Sequence, residues 1–145
     1  MTNNHRIAVV VSRFNETITD PLLAGCLARL AEQGLSEAQI TVAKVPGAIE
    51  LPLMAKHYAR SGRYGAIICL GAVIRGETTH YDVVCQQASQ GCQTVSLQYH
   101  VPVIFGVLTT ETVAQAHARV GGAHGHKGRY AADAALEMMA LLQAE

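Results

Sequence analysis

Four strand-length segments alternate with helical stretches along this chain, and that alternation restricts its fold more than any other feature. Ile7 to Ser12 and Ala66 to Ile74 are nearly unbroken apolar runs, the pattern of strands buried on both faces. Ile40 to Val45 and Val101 to Leu108 read as two further strands. Between them lie segments with helical periodicity. Leu22, Leu23, Cys26, Leu27 and Leu30 mark the first, expected to be capped by Thr19 or Asp20 with Pro21 at its first position and stopped by Gly34. The second runs from about Ile49 to Ser61, with Gly62 as its stop, and the third carries Val83, Val84, Ala88, Cys92 and Val95. A short helix follows Thr109 and Thr110 and reaches about Ala118. After a glycine-rich loop, Ala131, Ala134, Ala135, Met138, Met139 and Leu142 mark one face of a final helix.

Strand-helix alternation of this kind builds a parallel sheet covered by helices on both faces. Right-handed crossovers then deliver every strand-to-helix loop to one edge, and ligands bind there, outside the carboxyl ends of the strands. At 145 residues the chain fits one domain spanning 1–145. Eleven basic and eleven acidic residues balance, so no bulk field favours nucleic acid or an anionic membrane. No apolar run approaches the roughly 20 residues of a transmembrane helix, and the N-terminal residues have no signal-peptide pattern. Cys26, Cys69, Cys85 and Cys92 lack metal or redox spacing and read as reduced core thiols of a cytoplasmic protein. Only 15% of residues are charged, which hints at surface buried against copies of the same chain.

The carboxyl edge collects the chemistry. Phe14 lies in a polar loop, where it either folds over the sheet or stacks on a heteroaromatic ring. Glu50 opens a helix, so it caps its own backbone or accepts hydrogen bonds from substrate hydroxyls. His80 falls in the first turn of the third helix, where an imidazole is a candidate proton donor and acceptor. The N–H groups of Glu77 and Thr78 stand at the same helix start and suit an anion. Arg119 and Lys127 flank the glycine-rich loop and suit a phosphate. His117, His124 and His126 match no zinc spacing, so no metal is expected. No phosphate-binding loop of the nucleotide-binding kinds follows any strand.

Five segments, taken together and in order, resemble the lumazine synthase family. They are Ser12-Arg13-Phe14-Asn15, Val45 to Glu50, Gly71 to Asp82, Pro102 to Glu111 and Gly125 to Gly128. The resemblance implies a flavodoxin-like three-layer α/β/α sandwich with a four-stranded parallel sheet. It implies a cofactor-free condensation of a ribitylated pyrimidine with 3,4-dihydroxy-2-butanone 4-phosphate. Phe14 would then stack on the pyrimidine, with Ala48, Ile49 and Glu50 holding the ring and ribityl chain. Ala72, Val73 and Ile74 would bind the pyrimidine edge through their backbone, and His80 would shuttle the proton. Glu77, Thr78, Arg119 and Lys127 would bind phosphate, and Phe105 would close the pocket from a neighbouring subunit. The implied assembly is a homopentamer, with a decamer or icosahedral shell left open. Two positions depart from the family pattern: Ile49 stands where an aromatic is frequent, and His126 replaces an asparagine. The rival readings are a non-catalytic flavin or lumazine carrier and a shell protein on the same fold, and the intact set of site residues favours the enzyme.

Overall fold

A computed structural model describes residues 5–144. The main sheet comprises β1 (Ile7–Ser12), β2 (Ile40–Val45), β3 (Ala66–Ile74) and β4 (Val103–Thr110), in the order β2-β1-β3-β4. All three pairings are parallel. The helices are α1 (Glu16–Glu32), α2 (Leu51–Ala59), α3 (His80–Tyr99), α4 (Val113–His117) and α5 (Lys127–Gln143). Gly34 and Gly62 follow α1 and α2 with φ of 97° and 72°, as expected of helix stops. The layers and the strand order are those of the flavodoxin-like fold. Among the described residues, no helix is long and apolar enough to cross a membrane.

The period of two along a strand divides the core into halves. Ile7, Val9 and Val11 of β1, with Ile68 and Leu70 of β3, face α1 and α5. Ala8, Val10, Ile67 and Cys69 face α2 and α3, where they meet Leu51, Ala55, Ala88 and Cys92. Because both faces are covered, β1 is buried along its whole length. Burying each such side chain contributes about 1.5–3 kcal/mol, which fixes both the register and the layers. Cys26, Cys69 and Cys92 are buried free thiols, and burial pushes Cys26 up to about 12. Cys85 is only half-buried, so it is not a core thiol like the other three.

Three elements differ from the sequence expectation. Helix α1 starts at Glu16, not after Thr19 or Asp20, and Pro21 lies inside it. The cause is Ile18, which extends the buried i, i+4 stripe of Leu22, Cys26 and Leu30 back by one turn. Asn15 opens the helix, with its carbonyl accepting from the N–H groups of Ile18 and Thr19 at 2.9 and 3.0 Å. Helix α2 is shorter than Ile49 to Ser61, because Ala48–Glu50 form a 3-10 turn before it. Strand β4 is shifted by two residues. Val101 closes α3 by donating to the Ser96 carbonyl, while Thr109 and Thr110 pair with Val73 and Ile74. β-branched threonines suit that ladder, so they extend the strand and do not begin the next helix. Finally, the glycine-rich loop folds into an antiparallel hairpin of β5 (Val120–Gly122) and β6 (Gly125–His126).

Candidate active site

The chain passes from β1 out to β2, then back across to β3, so the strand order reverses between β1 and β3. A crevice must open where adjacent loops leave in opposite directions. A cavity of about 450 Å³ occupies that point. Phe14 and Asn15 enter it from the end of β1, Gly47 to Glu50 from the end of β2, and Ala72, Val73 and Ile74 from β3. Gly76, Thr78, His80, Tyr81 and Val84 complete the wall from the start of α3.

Local backbone chemistry shapes each wall. Arg13 N–H donates to the Val45 carbonyl at 2.8 Å, and Phe14 N–H to the Pro46 carbonyl at 3.1 Å. These bonds continue the β1–β2 ladder into the loops and present Phe14 at the cavity mouth, 70% exposed. Asn15 turns in the left-handed region, at φ 66°, and its Nδ2 donates to the Ala72 carbonyl at 3.0 Å. Asparagine tolerates that conformation better than most residues. Glu50 caps its own turn, its Oε1 accepting from Gly47 N–H at 2.8 Å. Ala48 is buried, whereas Ile49 opens onto the cavity.

The free edge of β3 supplies polar groups. Against β1 the strand pairs only as far as Leu70, but against β4 it pairs through Ile74. Ile67 and Arg75 N–H groups bond on the β4 side, to Pro102 and Thr110, so odd-numbered residues direct their backbone there. Even-numbered residues direct theirs toward β1, as the Asn15 bond to Ala72 shows. Beyond the end of β1, the alternation therefore turns the N–H and C=O of Ile74 toward the cavity.

Arg75, next in sequence, anchors the start of α3. Its Nη2 meets Asp82 Oδ1 at 3.2 Å and its Nε meets Glu111 Oε2 at 2.8 Å. Its guanidinium lies 4.5 Å from the Tyr81 ring centroid. Burial raises the Tyr81 phenol above its ordinary range, while its bond to Thr109 lowers it. His80 is the first residue of α3, and its N–H donates to Thr78 Oγ1 at 3.3 Å. Glu77 and Thr78 precede the helix and do not form part of its first turn.

Phe14, Ala48, Ile49, Glu50, Ala72, Val73, Ile74, Thr78 and His80 thus share one cavity, with Glu77 exposed between two of its lining residues. Three expected residues stand apart from it. Arg119 and Lys127 line a second cavity of about 280 Å³ with Thr109, Thr110, His124 and Tyr130. Phe105 lies in a third depression, beside Ser89 and Gln93 of α3. The first two cavities adjoin across the sheet, since Ile74 at one pairs with Thr110 at the other. Sequence reasoning did not single out Asn15, Arg75 or Tyr81, although Asn15 beside Phe14 and the Arg75–Asp82 spacing are visible there. Among the described residues, no cluster of three His, Cys, Asp or Glu is arranged to hold a metal ion.

The family model for 6,7-dimethyl-8-ribityllumazine synthase matches residues 4–143. Proteins of that name from three strains of Coxiella burnetii are each 55% identical over 141 residues. Those alignments cover 97% of this chain and 93% of each relative. A cavity at the strand-order reversal, walled by three of the five matching segments, and similarity over nearly the full length agree: the chain belongs to the 6,7-dimethyl-8-ribityllumazine synthase family.

Proposed function

We propose that this chain condenses 5-amino-6-(D-ribitylamino)uracil with 3,4-dihydroxy-2-butanone 4-phosphate, giving 6,7-dimethyl-8-ribityllumazine, phosphate and water in the penultimate step of riboflavin biosynthesis. One observation carries the reading. An exposed aromatic ring, a carboxylate, a free strand edge and a histidine converge on one cavity at the strand-order reversal. Phe14 stacks on the pyrimidine, and the N–H and C=O of Ile74 match its polar edge, with Ala72 and Val73 beside them. Ala48 and Ile49 flank the ring and ribityl chain. Glu50 accepts from the ribityl hydroxyls through Oε2, because Oε1 serves Gly47. The butanone phosphate lies toward Glu77 and Thr78, with Arg119 and Lys127 as its cations.

The 5-amino group attacks the ketone and water leaves as the imine forms. Phosphate is then eliminated, the product tautomerises, and the second nitrogen closes the ring with loss of another water. His80, at the cavity wall, takes and returns the proton. Holding two reactants in register is worth about 7–11 kcal/mol, whereas one acid–base group gives about 10²–10⁴ in rate. Positioning therefore dominates.

The chain acts as one domain, in the cytoplasm, within a homopentamer. The pentamer reading is supported by apolar surface on a chain with few charges: Leu53 and Leu97 are 75% and 74% exposed. It is supported also by Phe105, which shares no cavity with Phe14 and so serves a neighbour's site. Mixing purified protein with both substrates should produce lumazine fluorescence and free phosphate in equal amounts. Pyrimidine binding without product would leave the carrier reading in its place.

A further inference from the structure

The junction between β6 and α5 is held by a side chain that the family pattern does not supply. His126 precedes Lys127, and its Nδ1 accepts from the N–H groups of Gly128 and Arg129 at 3.1 and 3.4 Å. It is the N-cap of α5. The Pro21 carbonyl of α1 lies near the ring and favours its charged form. With Nδ1 occupied as an acceptor, the neutral ring carries its proton on Nε2. The ring lies where a Cβ on Gly25 would be, and a Cβ on Gly128 would collide with the Leu22 carbonyl. Absence of both side chains lets α1 and α5 close on the imidazole.

This clip sits between the two cations of the second cavity. Lys127 N–H donates to the Arg119 carbonyl at 2.8 Å, and His126 pairs with Val120 in the hairpin. The placement of Arg119 relative to Lys127 is thus a property of the hairpin that His126 ties to α1. We infer that His126 is a positioning residue for the phosphate of the second substrate, holding Arg119 and Lys127 together only while its imidazole is neutral. The inference rests on the proposed reaction for the identity of that anion.

Protonation would place a hydrogen on Nδ1, facing two backbone donors, and a positive charge at the positive end of α5. The ring's surroundings oppose it. Burial is the main cause of a pKa below the ordinary histidine value, with the Arg129 charge a lesser one. The groups packed on the ring from α1 (Pro21, Leu22, Gly25) and from β5 (Gly121) are not titratable. Arg129, on its own helix, is paired with Glu32 at 2.8 Å. Because the folded pKa is depressed, the clip is complete above the ordinary histidine range and is lost as pH falls through the lowered value.

The test compares wild type, His126→Asn and His126→Ala in steady-state kinetics from about pH 8 to about pH 4.5, a span that reaches below ordinary histidine titration because the folded value is lowered. Asparagine restores a cap without a titrating ring. At the upper pH, His126→Ala should raise KM for the butanone phosphate by roughly three- to thirtyfold and leave KM for the pyrimidine unchanged, while His126→Asn stays near wild type. As pH falls, KM for the phosphate substrate should rise more steeply in wild type than in His126→Asn. The substrate's own titration is common to both proteins and cancels in the ratio of their profiles. Superimposed profiles for wild type and His126→Asn would overturn the inference, as would a KM increase shared equally by the pyrimidine. Should His126→Ala not fold, the wild-type and asparagine profiles decide alone. Should no variant make lumazine, the functional reading fails, and titration of inorganic phosphate into wild type and His126→Asn at both pH extremes tests the clip separately. Equal pH dependence of phosphate binding in the two would then overturn it.

Discussion

Asn15 Nδ2 and the Ala72 carbonyl, 57 residues apart in sequence, meet at 3.0 Å across the point where the strand order reverses. The bond occupies a β3 carbonyl just beyond the last residue paired with β1, and it fixes the loop that carries Phe14. Asn15→Ala removes the bond and puts a residue that tolerates the left-handed region less well than asparagine at φ 66°, so a loss of about 1–3 kcal/mol is expected. Asn15→Gly removes the same bond but adopts that conformation freely and should lose less. In both, KM for the pyrimidine should rise before turnover falls. Chemical denaturation together with separate KM values checks this. Equal destabilisation by Ala and Gly would mean that the backbone conformation contributes nothing.

His80 and Arg119 line different cavities, and their variants should fail in different ways. His80→Ala should lower the single-turnover rate by about tenfold to a thousandfold with pyrimidine affinity retained, the range of one acid–base group. Arg119→Ala should mainly raise KM for the butanone phosphate, because a charge-assisted contact to an anion is lost. Unchanged chemistry in the first, or weakened pyrimidine binding in the second, would reverse the assignments.

The α1–α5 contact has an acid limit set at the surface. Glu32 is drawn down to about 2, first by its hydrogen bond from Arg129 and then by that from Arg29. Arg29 also reaches Asp133 of α5 at 2.7 Å. A depressed carboxylate contributes stability above its ordinary range and loses it as pH falls through the folded value. The difference in Tm between wild type and Glu32→Gln should therefore shrink as pH is lowered from neutrality toward about 2. A difference independent of pH would show that the ion pair contributes nothing in solution.

The sheet was legible in this sequence because a strand buried on both faces must be apolar throughout, as β1 and β3 are. Their bounds follow directly from the residues. Helix starts were less legible. Pro21 after Asp20 imitates an N-terminus, yet Ile18 needs the same buried face as Leu22, and burial prevails over the local signal. Thr109 and Thr110 likewise read as a connection to the next helix, but strand pairing with Val73 and Ile74 claims them. The cavity at the strand-order reversal was legible from topology, and Phe14, Glu50 and His80 converge on it, whereas Arg119, Lys127 and Phe105 do not. Arg75 was not. Its partners Asp82 and Tyr81 are near in sequence, but its ion pair with Glu111 joins the start of α3 to the end of β4, and no local pattern encodes that junction. The packing of His126 was hidden for the same reason, since it depends on Gly25 of a different helix.

Phe14 and Phe105 occupy separate depressions of one chain, which makes the shared-site reading testable by complementation. A cyclic assembly uses heterologous interfaces, each pairing one face of a subunit with the opposite face of the next. Phe14→Ala and Phe105→Ala should each be poorly active as uniform rings. Unfolded together in equal amounts and reassembled, the two chains should place an intact Phe14 against an intact Phe105 at about a quarter of interfaces under random mixing. Activity of the mixture should then exceed the mean of the two parents, in proportion to the hybrid rings counted by native mass spectrometry. If both rings instead served the same chain's pocket, every subunit would carry one defect and mixing would restore nothing. Hybrid rings without a gain in activity would therefore place Phe105 outside the catalytic interface, and a monomer in sedimentation at assay concentration would remove the interface altogether.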